Sequence, residues 1–164
     1  MSHLERIGKK VLDINQLKPL LEQWRFVGKK VVFTNGCFDL LHLGHLDYLS
    51  KAADLGDILI IGVNTDASVR RIKGPSRPVN DEKSRAMLLA GLQFVDAVVL
   101  FDEPTPKEII DFIQPDVLVK GDDYKAEDIV GYDTVMAKGG KVETIRLVEG
   151  YSTTRIINRI LQGT

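Results

Sequence analysis

The sequence predicts an α/β fold, a Rossmann-like three-layer sandwich in which helices cover both faces of a central parallel sheet. Two observations lead to this prediction: strand-like and helix-like segments alternate along the chain, and the strand-like segments are largely apolar. A strand in a parallel sheet is buried on both faces, which requires apolar residues along most of its length. The length of 164 residues is sufficient for one domain with a substantial core.

The first half of the chain holds two predicted helices and two predicted strands. Residues 13–26 form a helix, because apolar residues recur on one helical face and an aspartate can cap its start. Residues 31–33 and 57–63 are apolar, β-branched runs of the kind that become buried strands. Between them, residues 44–55 form a predicted helix that a glycine terminates.

The second half continues the alternation of helix and strand. Residues 70–78 are basic and interrupted by glycine and proline, so they are predicted to form a loop. A helix begins near Pro104, since proline is favoured in a first helical turn, and Ser152 caps a closing helix to about Leu161. The remaining predicted elements are a helix at residues 80–91 and strands at residues 97–101, 117–119 and 141–145.

The domain organisation is predicted to be simple. We expect one domain over residues 1–164, in which residues 1–29 are an N-terminal helical extension and residues 30–164 are the catalytic core. No internal repeat, low-complexity tract or long linker divides the sequence.

Composition and charge restrict the partners and the compartment. The net charge of −1 provides no overall field that would attract nucleic acid or an anionic membrane. The single cysteine, Cys37, excludes an internal disulfide and favours a reducing compartment. The first ten residues lack the apolar core of a signal peptide, and no apolar run approaches the ~20 residues that span a bilayer. We therefore expect a cytoplasmic protein with neither nucleic acid nor a membrane as a partner.

Polar clusters follow four of the predicted strands. They are residues 36–45, 64–66, 120–124 and 150–154. Because parallel strands end at the same edge of a sheet, and ligands bind beyond their carboxyl ends, these clusters are expected to form one site.

The first cluster contains two of the three histidines of the chain. In Asn35-Gly-Cys-Phe-Asp-Leu-Leu-His42-Leu-Gly44-His45, both histidines lie where a predicted strand passes into a helix. Free backbone N–H groups and the positive end of a helix dipole attract phosphate there, and Gly44 permits a close approach. Two alternatives remain: the histidines bond only to nearby backbone groups, or they form a zinc site with Cys37.

The cluster near the C-terminus is rich in hydroxyl groups. Gly150 provides a turn, and Ser152, Thr153 and Thr154 begin a predicted helix. An ordinary N-cap needs Ser152 alone, so three consecutive hydroxyls followed by Arg155 favour a second phosphate-binding site.

The basic stretch is the third candidate. Arg70, Arg71, Lys73 and Arg77 either form a solvated surface or fold over an anionic substrate.

Aspartates at the same edge are the least specific signal. Asp122 or Asp123 could hold magnesium through water, contact a sugar or base, or cap a turn. Asp39 and Asp66 are open to the same alternatives.

Several catalytic motifs are absent from the sequence. GxxxxGK[ST], GxGxxG, HExxH and GxSxG do not occur. Their absence argues against a P-loop kinase, a Rossmann dehydrogenase and a triad hydrolase.

The motifs that are present resemble those of a known superfamily. The histidine cluster resembles the HxGH signature of the nucleotidyltransferases, and residues 152–157 resemble their second signature, ISTTxII. Residues 64–69, 73–80 and 119–124 are similar to the D-glycero-β-D-manno-heptose 1-phosphate adenylyltransferase branch in its stand-alone form. The resemblance extends from about residue 30 to about residue 160.

The resemblance implies a reaction. ATP and heptose 1-phosphate would give ADP-heptose and pyrophosphate for the inner core of lipopolysaccharide. Mg²⁺ would be bound mainly through the ATP phosphates, and a homodimer is expected by analogy. His42 and His45 would stabilise charge at the α-phosphorus, residues 152–154 would hold the β- and γ-phosphates, and Lys73 would approach the transferring groups.

The resemblance also implies binding residues. Nucleotide binding is expected of Gly36, Cys37, Phe38, Gly44, Lys120, Gly121, Asp122, Glu149, Ser152, Thr153 and Thr154. Binding of the sugar phosphate is expected of Thr34, Asn35, Asp39, Asn64, Asp66 and Arg77. No direct protein ligand for the metal is predicted.

Two other functions are alternatives. Glycerol 3-phosphate cytidylyltransferases, which are closely related, carry arginine and threonine before the Glu-Gly of the second signature, where this chain has Leu147 and Val148. This difference favours ATP over CTP. A non-catalytic nucleotide-sensing module is the other alternative, against which the intact signatures argue.

Overall fold

The structure, a computed structural model, describes residues 1–163 and is built on one sheet. Its strands are β1 (Val11–Leu12), β2 (Val31–Gly36), β3 (Ile58–Asn64), β4 (Ala97–Phe101), β5 (Val117–Gly121) and β6 (Lys141–Ile145). Its helices are α1 (His3–Gly8), α2 (Ile14–Phe26), α3 (Leu43–Ala53), α4 (Asp66–Lys73), α5 (Glu82–Ala90), α6 (Lys107–Ile113), α7 (Tyr132–Ala137) and α8 (Thr153–Gln162), with a 3₁₀ turn at Ala126–Asp128.

All paired strands are parallel, in the order β1-β4-β3-β2-β5-β6. The chain proceeds outward from β2 through β3 to β4, then returns to the other side of β2 to form β5 and β6. The order of the strands therefore reverses between β2 and β5. In a doubly wound sheet, ligands bind at such a reversal, beyond the carboxyl ends of the strands.

Helices cover both faces of the sheet and complete the predicted sandwich. On one face, α2 and α6 pack on alternate strand residues, of which Phe33 and Ile60 are fully buried. On the other face, α3 and α5 pack on the intervening residues, of which Val32 and Ile61 are fully buried. Alternation of side chains along each inner strand supplies both cores, which explains why β2, β3, β4 and β5 are largely apolar.

The predicted fold class is confirmed, with corrections to single elements. Strands at residues 97–101 and 141–145 have the predicted bounds, and β2 and β5 extend further than predicted, to Gly36 and Gly121. The predicted loop at residues 70–78 is wrong in its first part, which belongs to α4. Thr65 caps α4 by accepting a hydrogen bond from the N–H of Ser68, and its basic residues lie in the last turn, where the helix dipole favours them.

The N-terminal segment is more than the predicted helix. It also contains α1 and the short strand β1, which pairs with β4 at the edge of the sheet. Asp13 caps α2 as predicted, by accepting a hydrogen bond from the N–H of Gln16. Among residues 1–163, no helix is long and apolar enough to cross a membrane.

Candidate active site

A cavity of about 510 Å³ lies beyond the carboxyl ends of β2, β3 and β5. The residues predicted for catalysis, His42, His45 and Lys73, all line it. The other predicted residues on its wall are Asn35, Gly36, Cys37, Phe38, Asp39, Gly44, Asn64, Arg77, Lys120, Gly121, Ser152, Thr153 and Thr154. Segments that are more than a hundred residues apart in the sequence therefore meet at the point where the strand order reverses.

The two histidines form a stacked pair at the start of α3. Their ring centroids are 3.8 Å apart and the rings are inclined by 18°. His42 is the N-cap residue, and its Nδ1 accepts a hydrogen bond of 3.3 Å from the backbone N–H of His45. Because Nδ1 is an acceptor, the proton of the neutral His42 ring is on Nε2, where it can be donated to a ligand. Capping and phosphate binding are therefore compatible roles.

His45 lies deeper than His42 and is held in a largely apolar setting. The ring of Phe38 packs edge-on against it, with 5.4 Å between centroids. Burial, reinforced by the neighbouring His42, lowers the pKa of His45 to about 4. Burial also lowers the pKa of His42. Both rings are consequently neutral donors at pH 7 in the free protein.

The low pKa of His45 makes stability depend on pH. The unfolded chain takes up a proton near pH 6.5, whereas the folded chain does so only near pH 4, so the free energy of unfolding falls as the pH drops through this interval. We expect the free energy of unfolding to fall by roughly 2 kcal/mol over this interval. The fall is smaller than the full pKa shift of His45 would give, because the ring is partly exposed and solvent screens its charge.

Urea unfolding between pH 7 and pH 4 measures this dependence. A His45→Asn variant lacks the titrating ring and should lose less stability than the parent protein over the same interval. The matched His3→Asn variant, altered on the exposed helix α1, should behave like the parent. Equal slopes for all three proteins would contradict the prediction.

Gly44 is required by the packing of the histidine motif. A Cβ atom at this position would lie 3.0 Å from Cε1 of His42 and 3.1 Å from Cβ of Tyr151. Any larger residue would displace the His42 ring or the start of the segment that leads to α8. The glycine therefore brings the two signature segments together.

The N-terminus of α8 lines the cavity beside the histidine segment. The hydroxyl of Ser152 accepts a hydrogen bond from the N–H of Arg155 at 3.1 Å, so the ordinary capping role is present. The hydroxyl of Thr153 donates to the carbonyl of Leu40 at 3.3 Å, which ties α8 to the histidine segment. Ser152 keeps its own proton available for a ligand, and Thr154 is exposed on the cavity wall.

Asp39 anchors the segment that follows α4. Its carboxylate accepts hydrogen bonds from Nε of Arg77 at 2.7 Å and from the backbone N–H groups of Val79 and Asn80 at 2.8 and 2.9 Å. Burial alone would raise the pKa of Asp39, but these donors outweigh it and hold the pKa below its usual value. The carboxylate is thus occupied within the protein, and a direct contact between Asp39 and substrate stays a prediction.

Basic side chains from two parts of the chain reach the cavity. Lys73 is exposed at the end of α4, and Arg77, whose Nε donates to Asp39, also lines the cavity. Lys120 approaches from the end of β5 and donates to the carbonyl of Asn35 at 3.3 Å. Burial lowers the pKa of Lys120, and the nearby Asp123 opposes this effect.

Four predicted residues are not on the cavity wall. Thr34 is fully buried, because alternation along β2 turns its side chain into the core, where it meets the hydroxyl of Tyr48 at 2.7 Å. Asp66 forms an ion pair with a buried arginine, at 2.8 Å. Asp122 turns away to accept from the N–H of Leu147, and Glu149 has a side chain that is 92% exposed.

The cavity wall also contains residues that the prediction of site residues omitted. They are Tyr48, Ile72, Pro104, Pro106, Asp123, Tyr124, Leu147, Val148 and Tyr151. Pro104 and Pro106 follow β4, so the rule that sites form at strand carboxyl ends would have found them. Asn35 is notable for a buried Oδ1 that has no partner within residues 1–163, which leaves an acceptor available for a ligand.

The zinc alternative finds no support in this geometry. In the part of the chain that the structure describes, no group of three or more His, Cys, Asp or Glu side chains is arranged to hold a metal ion. The two imidazoles stack on each other, and the thiol of Cys37 faces Oδ1 of Asn64 at 3.9 Å.

A sheet whose strand order reverses beside paired histidines and a hydroxyl-bearing helix start defines an α/β nucleotidyltransferase. Comparison with known families makes this class more specific. The chain belongs to the cytidylyltransferase-like family, whose model matches residues 33–159. The resemblance to the nucleotidyltransferase superfamily that the motifs predicted is thereby confirmed.

Curated relatives are similar over nearly the whole chain. The "Bifunctional protein HldE" of Syntrophotalea carbinolica is 56% identical over 159 residues, which cover 97% of this chain and 32% of that protein. The protein of the same name from Citrifermentans bemidjiense is 55% identical over 154 residues, 94% of this chain and 32% of that protein. The chain therefore spans about a third of the length of the curated relatives it matches.

Solved structures support the same fold. The crystal structure of the lipopolysaccharide core biosynthesis protein from Thermoplasma volcanium GSS1 has a TM-score of 0.61 and 33% identity, and covers 76% of this chain and 100% of its own. Pantoate-β-alanine ligase from Francisella tularensis has a TM-score of 0.57 at 15% identity and covers 93% of this chain and 77% of its own. The second similarity shows the fold alone.

Proposed function

We propose that the chain transfers AMP from ATP to D-glycero-β-D-manno-heptose 1-phosphate, giving ADP-heptose and pyrophosphate for the lipopolysaccharide inner core. The observation that carries this proposal is the convergence of His42, His45 and Lys73 with the hydroxyls of α8 on one cavity. Similarity to the bifunctional HldE proteins and to a lipopolysaccharide core biosynthesis protein supports the choice of sugar.

The nucleophile needs no general base. A phosphate monoester has a second pKa of about 6, so its oxygen is largely ionised at neutral pH. The task of the site is to hold two mutually repelling anions in line and to stabilise charge at the α-phosphorus and the leaving pyrophosphate. The described cavity residues offer donors for this task rather than a carboxylate–histidine base.

Each donor has a place in this proposal. Nε2 of His42 and the deeper His45 ring would donate to the triphosphate at the α-phosphorus. The hydroxyls and free N–H groups at the start of α8 would hold the β- and γ-phosphates, as helix N-termini hold anions. Arg77 and Lys73 would receive the sugar phosphate and the transferring group.

Magnesium fits the site as a companion of the nucleotide. The cavity contains the exposed carboxylate of Asp123, and the described residues provide no cluster of three acidic or histidine ligands. An ion held mainly by ATP phosphates suits such a donor set. Mg²⁺ would neutralise phosphate charge, while the side chains named above orient the two substrates.

Three accompanying expectations belong to the same proposal. The chain acts in the cytoplasm on small molecules, it assembles as a homodimer, and residues 1–164 form one nucleotidyltransferase domain. Sedimentation equilibrium would test the homodimer directly.

Pyrophosphate release tests the reaction. Purified protein is supplied with D-glycero-β-D-manno-heptose 1-phosphate, Mg²⁺ and either ATP or CTP, and we expect release with ATP. If no pyrophosphate is released with the heptose phosphate, but pyrophosphate is released from CTP and glycerol 3-phosphate, the protein is instead a cytidylyltransferase. Nucleotide binding without release from any pair would indicate a sensing module.

A further inference from the structure

Arg85, on α5, is fully buried, and the proposed chemistry makes no use of it. Its guanidinium donates to three separate segments of the chain. Nε donates to the carbonyl of Asn80 at 3.0 Å, one terminal nitrogen donates to the carbonyl of Cys37 at 2.6 Å, and the other to Oδ1 of Asp66 at 2.8 Å. A buried cation with three acceptors is a structural clamp.

The hydrogen bond from Arg85 to the carbonyl of Cys37 bears on the histidine motif. Cys37 immediately precedes Phe38, whose φ of +48° lies in the left-handed region that side chains rarely occupy. The hydrogen bond from Arg85 fixes the carbonyl of Cys37, and so the orientation of the peptide that enters this residue. Phe38 in turn packs its ring against His45. The contact with Arg85 therefore bears on the position of a proposed catalytic histidine.

The hydrogen bond from Arg85 to the carbonyl of Asn80 bears on the segment that carries Arg77. Asn80, held by Arg85 through its carbonyl, donates its backbone N–H to Oδ1 of Asp39 at 2.9 Å and its side-chain amide to the Asp39 carbonyl at 3.1 Å. Asp39 also accepts from Nε of Arg77. A continuous chain of hydrogen bonds thus joins Arg85 to a cation on the cavity wall.

We propose that Arg85 is a positioning residue for nucleotidyl transfer. It holds Phe38 against His45 and holds the segment after α4 against Asp39, without touching substrate. Arginine suits this role because its planar fork donates in several fixed directions, which a lysine cannot reproduce, and Asp66 compensates its charge. The expected effects of Arg85 on kcat and KM rest on the proposed function, whereas its expected effect on the position of His45 does not.

Arg85→Lys tests the clamp while it retains the positive charge. We expect kcat to fall by about 10- to 100-fold, since displacement of reacting groups by about 1 Å can cost that much. The KM for ATP should stay within about threefold, whereas the KM for the sugar phosphate should rise as Arg77 moves. The matched control is Arg71→Lys, which alters an arginine that is half-exposed and paired with Asp102; it should leave kcat and both KM values unchanged.

A histidine NMR titration gives a readout that needs no substrate. If Arg85 holds Phe38 in place, Arg85→Lys should move the pKa of His45 upward from about 4 towards its usual value. Phe38→Gly should do the same, because it removes the ring that packs on His45 while glycine tolerates the left-handed backbone; this variant tests the link from Phe38 to His45 on which the inference depends. Because this experiment uses free protein, it remains decisive even if the proposed reaction fails.

Two results would overturn the inference. One is a folded Arg85→Lys protein with the parent kcat and an unchanged His45 titration. The other is a loss of activity that matches the unfolded fraction measured by circular dichroism, since a merely stabilising residue would behave in that way. An unchanged titration in Phe38→Gly would likewise exclude the proposed link to His45.

Discussion

Replacement of His42 or His45 by alanine should lower kcat by about 10²- to 10³-fold. Loss of one well-placed donor to a developing charge typically raises a barrier by about 3–4 kcal/mol. The stacked rings place two such donors at one helix N-terminus, so each variant should retain part of the stabilisation. Steady-state release of pyrophosphate, measured with saturating ATP and heptose phosphate, provides the comparison.

The third histidine of the chain is the control for this experiment. His3 lies in the exposed helix α1, away from the cavity, and His3→Ala should keep the parent kcat. Circular dichroism should show that the His42 and His45 variants remain folded. A near-parent kcat in either variant would show that the histidine concerned does not contribute to catalysis.

Replacement of Lys73 by glutamine should lower kcat by about 10²-fold. Lys73 is exposed at the last residue of α4 and lines the same cavity as the start of α8, so its flexible stem can follow the transferring phosphate. Glutamine preserves most of the length but removes the charge that offsets repulsion between the two anionic substrates. Because this compensation is greatest when the phosphates are closest, kcat should fall more than the affinity for ATP.

Lys83→Gln provides the matched control. Lys83 is an exposed lysine on α5 that does not line the cavity, so this variant undergoes the same change of charge and should keep the parent kcat. An equal fall in kcat in both variants would mean that Lys73 acts only through its contribution to the overall electrostatic field of the protein. An unchanged Lys73→Gln enzyme would exclude Lys73 from the transfer step.

The sequence was sufficient to predict that the candidate site residues gather at one edge of the sheet, because parallel strands all end on the same side. Fully apolar runs mark strands that are buried on both faces, and polar residues directly after them must gather at one edge. His42 and Ser152 could be assigned in this way, since each also begins a helix. The apolar, β-branched run at β4 located that strand as well.

The orientation of individual side chains could not be read from the sequence. Asp122 and Asp123 are adjacent and chemically identical, yet the first binds the N–H of Leu147 and the second lines the cavity. Thr34 and Asn35 are adjacent polar residues of β2, yet Thr34 is fully buried and bonded to Tyr48, whereas Asn35 lines the cavity. Such differences depend on tertiary contacts that no local pattern encodes.

Buried ion pairs escaped prediction for a related reason. Asp39 and Asp66 looked like ligands at a sheet edge, but each is occupied by an arginine from a distant segment. Arg77 lies in the segment predicted as a basic loop, and Arg85 lies in the predicted helix at residues 80–91; neither prediction indicated an ion pair. Charge alone does not distinguish a cation that meets substrate from one that fixes the backbone.

The two outermost strands of the sheet have a bearing on self-association. An exposed sheet edge presents unpaired backbone groups on which another chain can add a strand. On one side β1 is only two residues long, and on the other β6 carries the exposed charges of Lys141 and Glu143. A short edge and a charged edge both discourage strand addition, so the sheet is protected against edge-to-edge aggregation during folding and at high concentration.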